Sequence, residues 1–93
     1  MDELVPSEFY LGQNYPNPFK EKTTIKYCVP DKTKIKLTVI DPDMKTIREL
    51  ENAVKEAGTY EVEFDGSNLK QATYFYKFEA KGFSKIKEMT LAK

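Results

Sequence analysis

A chain of 93 residues fits one modest domain, and burial of only about 60–65% of its unfolded surface leaves little room for an enclosed active site. Apolar residues make up 40% and charged residues 32%, the balance of a folded rather than a disordered chain. Fifteen basic residues offset fifteen acidic ones, so no long-range field gathers nucleic acid or anionic lipid.

The N-terminus, MDELVPSE, is acidic with no apolar run behind it, so it does not read as a signal peptide. Where Met1 opens an excised fragment, the parent's export signal would lie upstream. No stretch reaches the apolar length of a membrane-spanning helix. Next comes LGQNYPNPFKEKTTIKYCVP, Leu11 to Pro30. Pro16, Pro18 and Pro30 fix backbone angles and remove donors, which stops strand pairing at defined points. Asn14 and Asn17 suit turns closed by their side chains.

From there the dominant period is two. In TTIKYCV, Ile25, Tyr27 and Val29 share a face. In KIKLTVI it is Ile35, Leu37 and Val39; in TYEVEF, Tyr60, Val62 and Phe64. In TYFYKFEA, Tyr74, Tyr76 and Phe78 lie opposite Phe75, Lys77 and Glu79. In FSKIKEMTL, Phe83, Lys85, Lys87, Met89 and Leu91 share one parity and Ile86 the other. Such alternation predicts strands with one face buried, and β-branched and aromatic residues fill the periodic positions. Turn signals at Pro30-Asp31, Asp41-Pro42-Asp43, Ala57-Gly58, Asp65-Gly66 and Lys81-Gly82 separate the runs. The spacing predicts an all-β, immunoglobulin-like antiparallel β-sandwich of about seven strands, folded as a single domain over 1–93. Residues 47–58, IRELENAVKEAG, hold helix-friendly residues with Leu50 and Val54 four apart. The preferred expectation is a strand over Thr46–Leu50 followed by a loop.

Groups that do chemistry are scarce. The chain has no His and one Cys, Cys28, so a nucleophile–base pair, an internal disulfide and a thiolate metal site are all missing. Asp41, Asp43 and Asp65 offer oxygen ligands for Ca²⁺, but they sit at turns without EF-hand spacing, where Asp ordinarily bonds its own backbone. Glu61 and Glu63 share a solvent face with no cleft around them, which does not support a glycosidase pair. Of the aromatics in Tyr74–Phe78, only Phe75 is expected outside, too few for a stacking platform. The four glycines are isolated, so no phosphate loop is present. The residues read as a non-catalytic module that needs no cofactor and no metal, and they do not reach a function by themselves.

The order of the motifs does. Gln13-Asn14-Tyr15-Pro16-Asn17-Pro18-Phe19 resembles the QNYPNPFN signature of the C-terminal sorting domain of type IX (Por) secretion substrates. Thr23-Thr24-Ile25-Lys26-Tyr27 with Val29-Pro30 is similar to the family's TTIxYxLP, and Ile35 to Asp41 to its VxLxVYD. Ala57 to Leu69, including Asp65-Gly66, is similar to AGxYxVxWDGxNL; Tyr74 to Phe78 is similar to YFYRL, and Lys87 to Lys93 to the terminal KKMxLLK. Each piece is weak, but together they cover about residues 9–93. Met44 and Ala72 stand where the family usually has Gly, and Glu88 where it usually has a second Lys. The resemblance implies an immunoglobulin-like sandwich, related to one in the flagellar hook-capping protein. It also implies a non-catalytic label at the C-terminus of a larger bacterial cargo protein. That cargo would pass through the periplasm, be recognised by the type IX translocon, be cut by a sortase-like peptidase and be displayed on the cell surface or secreted. Nucleic-acid binding and membrane insertion are not expected. Recognition is expected on the last strand, through Phe83, Lys85, Ile86, Lys87, Met89, Leu91 and Lys93, by addition of a strand to an exposed edge. The rival reading is a retained structural or adhesive module, as in the hook-capping protein; a carbohydrate-binding sandwich ranks last, for want of surface aromatics.

Overall fold

The computed structural model describes residues 6–93. Among them are seven strands and no helix: β1 (Tyr10–Leu11), β2 (Lys22–Val29), β3 (Thr33–Ile40), β4 (Thr46–Lys55), β5 (Gly58–Asp65), β6 (Ala72–Ala80) and β7 (Phe83–Leu91). They form two packed antiparallel sheets, one ordered β1-β2-β5 and the other β4-β3-β6-β7. The chain crosses between sheets after β2, after β4 and after β5, so each sheet lends its apolar face to one shared core.

The alternation sets that core. Tyr27, Leu37, Phe64, Tyr76 and Phe78 are fully buried together, with Ile25, Val29, Ile35, Val39, Tyr74, Met89 and Leu91 around them. Tyr60 and Val62 are half-buried and pack against the cluster, because β5 is an edge of the smaller sheet. Leu11 and Phe19 add two core side chains from outside the regular alternation. Phe75 faces outward as its parity requires and is half-buried there.

The strand expected to stop at Leu50 instead runs to Lys55, paired with β3 as far as Thr33↔Lys55. Two register shifts explain why its pattern looked irregular. Thr38 pairs Glu49 while Leu37 pairs Glu51, and Ile40 pairs Thr46 while Val39 pairs Arg48. Leu50 and Ile47 are therefore extra, bulged residues, and both turn onto the core. Their spacing of three mimics a helical period. Val54, the other residue of the supposed helical pair, is 57% exposed.

The β3–β4 turn resolves one departure from the family pattern. Met44 donates its N–H to the Asp41 carbonyl at 2.9 Å and sits at φ +68°, a left-handed conformation that costs a residue with a Cβ about 1–2 kcal/mol. Ala72, the other position, opens β6 as ordinary strand with no positive φ.

Two stability measurements check this description. Phe78→Ala should lower the unfolding free energy by about 3–5 kcal/mol in denaturant titration; a loss below about 1 kcal/mol would contradict its place in the core. Met44→Gly should raise stability by roughly 1 kcal/mol, since relief of the left-handed strain outweighs glycine's extra chain entropy.

Candidate functional site

The stretch Gly12 to Phe19 lies across one flank of the sandwich and touches both sheets. The Tyr76 hydroxyl, buried on β6, donates to the Gly12 carbonyl at 2.7 Å and accepts the Asn14 N–H at 2.8 Å. The Asn14 side chain is itself buried. Its Nδ2 donates to Thr23 Oγ1 at 2.9 Å and to the Pro16 carbonyl at 3.2 Å, and its Oδ1 accepts from Gln13 Nε2 at 2.7 Å. Thr23 then donates to the Pro16 carbonyl at 2.8 Å. Every buried side-chain polar atom among the described residues has a partner, as a low-dielectric interior demands. Burial pushes the Tyr76 phenol up to about 12, partly offset by the Asn14 N–H that it accepts.

The same stretch holds the end of β7. Gln13 Nε2 donates to the Glu88 carbonyl at 2.7 Å, and the Thr90 N–H donates to Asn17 Oδ1 at 2.9 Å. Phe19 forms a parallel bridge to Leu91: its N–H reaches the Thr90 carbonyl and its carbonyl accepts the Ala92 N–H, each at 2.9 Å. The side chain of Asn17 thus clamps a distant strand rather than closing a local turn. Phe19 fills the core beside Phe64.

β7 is the edge strand of the larger sheet. Thr90 turns both its main-chain groups away from β6 towards the clamp. In an antiparallel strand this direction alternates, so Ser84, Ile86 and Glu88 also point outward. The clamp takes the Glu88 carbonyl, both main-chain groups of Thr90 and the Ala92 N–H. The main-chain groups of Ser84 and Ile86 remain as an open edge.

The residues expected to be read on this strand divide accordingly. Lys85 is exposed, Ile86 is 47% exposed and Lys87 is half-buried. Phe83 is half-buried in an aromatic cluster, stacked on Phe9 at 5.3 Å and edge-on to Phe78 at 5.7 Å. Met89 and Leu91 are fully buried core residues. Lys93 is exposed and donates to the Ser67 carbonyl at 2.7 Å. In the signature stretch, Pro16 and Pro18 are exposed, and Tyr15 is 80% exposed while its backbone pairs with Thr24.

The turn carboxylates are engaged locally. Asp41 Oδ1 accepts the N–H groups of Asp43 and Lys45, both at 2.9 Å, and Asp65 Oδ1 accepts the Ser67 N–H at 2.9 Å. The Ser67 hydrogen bonds hold the Asp65 carboxyl below its usual range. Gly66 is buried where an added Cβ would stand 3.3 Å from both Phe19 and Phe64, so the Asp-Gly pair combines a side-chain turn with close packing. Cys28 is half-buried on β2, with its Sγ 3.5 Å from Thr59 Oγ1.

Tyr76 as a two-sheet hub and the hold of Gln13 and Asn17 on β7 were not foreseen. One signal was present: Thr23 shares the inward parity of Ile25 and Tyr27, so an internal hydroxyl needed a partner. The clamp itself spans more than seventy residues of sequence and no local pattern announces it.

The family of secretion system C-terminal sorting domains matches residues 13–92. The chain belongs to that family. It is a C-terminal sorting signal of type IX secretion, which implies a parent cargo protein and export to the bacterial cell surface or secretion. Such domains are usually non-catalytic, and the match lends no support to a retained structural module. No curated protein and no solved structure matches the chain.

The hub has a measurable pH signature. A phenol whose folded pKa lies above its unfolded value adds stability that is complete below about pH 10 and is lost as pH rises through about 12. Tyr76→Phe should cost about 1–3 kcal/mol at neutral pH by leaving the Gly12 carbonyl and Asn14 N–H without a partner. The variant should also show a shallower stability loss between these two pH values in alkaline denaturant titrations. An unchanged alkaline slope would remove Tyr76 from this role.

Proposed function

We propose that this chain is a single, non-catalytic, immunoglobulin-like domain whose sorting information is read by the outer-membrane translocon on the open half of β7, Phe83 to Glu88. The parent protein enters the periplasm by a separate signal peptide, and a sortase-like peptidase then releases the cargo near the start of the domain. The observation that carries the reading is the divided edge. The signature stretch holds β7 from Glu88 onward, while Ser84 and Ile86 offer free main-chain groups beside Lys85 and Lys87. A receptor that accepts unrelated cargoes has only the shared domain to read, and an edge strand offers its main chain with least disruption. Of the residues expected to be recognised, Phe83, Lys85, Ile86 and Lys87 act directly; Met89 and Leu91 seat the strand from the core. The immunoglobulin-like assignment is supported by the three-plus-four strand order and by Tyr74, whose hydroxyl donates to the Lys70 carbonyl at 2.7 Å at the start of β6, the arrangement of a tyrosine corner.

The test is a reporter carrying an export signal and this domain in a type IX-competent host. Deleting Lys85 to Lys93 would remove core residues, so the informative variant is the triple substitution Lys85→Ala, Ile86→Ser, Lys87→Ala. It should stay folded by circular dichroism and accumulate in the periplasm while the parent reaches the surface. A folded variant displayed as well as the parent would move recognition elsewhere.

A further inference from the structure

We propose that the open half of the β7 edge is a strand-addition site for an extended polypeptide carrying two acidic side chains two residues apart with an apolar one between them. This rests on the reading of β7 as the recognised strand, and it specifies how that strand is read.

The edge already accepts an added strand. Phe19 sits on it as a parallel bridge, with main-chain hydrogen bonds of 2.9 Å to both Thr90 and Ala92. The Gln13 side chain at the Glu88 carbonyl closes the C-terminal limit, and the Lys81–Gly82 turn closes the other. An incoming strand therefore has about five residues of edge, at the usual rise of roughly 3.4 Å per residue, centred on Ile86.

The side chains on either face set its chemistry. Lys85 and Lys87 point to the inner face, where they line a slot of about 290 Å³ with Phe9, Leu11 and Phe83. Glu8 lines it too, yet among the described residues neither lysine is in an ion pair. Ile86 points to the outer face and is 47% exposed. A partner strand thus meets lysine, isoleucine, lysine in succession. Directly opposed residues on one face interact most strongly, so acid, apolar, acid is the complementary pattern.

A second copy of this chain does not fit. Antiparallel self-pairing centred on Ile86 would set Lys85 of each copy against Lys87 of the other, and like charges directly opposed destabilise such a pair. The two lysines guard the edge against its own kind while leaving it open to an acidic strand.

The experiment titrates the isotope-labelled protein with two blocked peptides, Thr-Val-Glu-Val-Glu-Val-Thr and its lysine counterpart Thr-Val-Lys-Val-Lys-Val-Thr, at low ionic strength. Amide shifts should concentrate on Phe83 to Glu88, with the glutamate peptide at least tenfold tighter and the difference shrinking in salt. Ile86→Pro removes an outward N–H and fills its place, so it should abolish binding of both peptides. Lys85→Glu with Lys87→Glu should invert the preference, a readout that stands even where the proline variant folds poorly. Equal affinity for the two peptides would overturn the proposal. So would shifts confined to another surface, no binding by either peptide at millimolar concentration, or a dimer of the parent through β7 in sedimentation. Loss of sorting in the triple variant together with any of those results would leave β7 as the recognised strand but exclude this mode. Retained sorting would exclude the strand itself.

Discussion

The buried hydroxyl of Tyr76 is the contact on which the rest of the site depends. It comes from the larger sheet, yet both its partners, the Gly12 carbonyl and the Asn14 N–H, belong to the stretch that leads into the smaller one. Asn14 passes the connection to Thr23 on β2 through one side-chain donor and to Gln13 through its oxygen. Each member is satisfied only while the others hold their places. Such a network is rigid because a single break leaves a polar group buried without a partner, at a cost of about 1–3 kcal/mol. Apolar packing alone would leave this stretch free to slide. The network, together with the main-chain hydrogen bonds of Gly12 to Lys26 and Tyr15 to Thr24, fixes its register, and with it the positions of Gln13, Asn17 and Phe19 along β7.

That register bears on a general problem of sandwich folds. An edge strand exposes donors and acceptors that invite pairing with the wrong partner. Here the problem is handled in two ways along one strand. From Glu88 to Ala92 the chain covers its own edge, with two side-chain amides and one short parallel bridge. From Phe83 to Lys87 the edge stays uncovered, flanked by two lysines that oppose self-pairing. The proline-punctuated stretch explains the first solution: Pro16 and Pro18 offer no donor, so the segment cannot extend into a full strand that would occupy the whole edge.

Most of the fold was legible in the sequence because strand burial repeats every second residue. Ile25, Tyr27 and Val29, or Tyr74, Tyr76 and Phe78, announce their faces without any knowledge of their neighbours. Legibility failed where pairing itself changed the period. Ile47 and Leu50 point inward at a spacing of three because each is an extra residue opposite β3, and nothing in IRELENAVK reveals the partner that creates the bulges. The unusual turn was half legible: the family's glycine at the position of Met44 indicated a positive φ, and the backbone adopts it despite the side chain.

The candidate site was legible in a different proportion. The motif marked the stretch Gln13 to Phe19, but the turn-closing role read for its two asparagines holds only for Asn14, which bonds the Pro16 carbonyl. Asn17 reads as a turn former because Asn ordinarily bonds its own neighbourhood. Its oxygen is instead turned to Thr90, some seventy residues on, because the fold brings the edge of β7 within reach. In the last strand one parity holds Phe83, Met89 and Leu91 together with Lys85 and Lys87, and sequence alone does not say which part of that face is covered. The strand's two halves acquire different characters only when Gln13 arrives at the Glu88 carbonyl. Met89 and Leu91, which continue the parity of Lys85 and Lys87, pass under the clamp into the core, while the lysines stay at its open end. The strand thus has one half anchored in a single register and another whose main chain is left uncovered. The signature stretch supplies the boundary between them, which is why so much of its chemistry is spent on contacts with a strand at the opposite end of the chain.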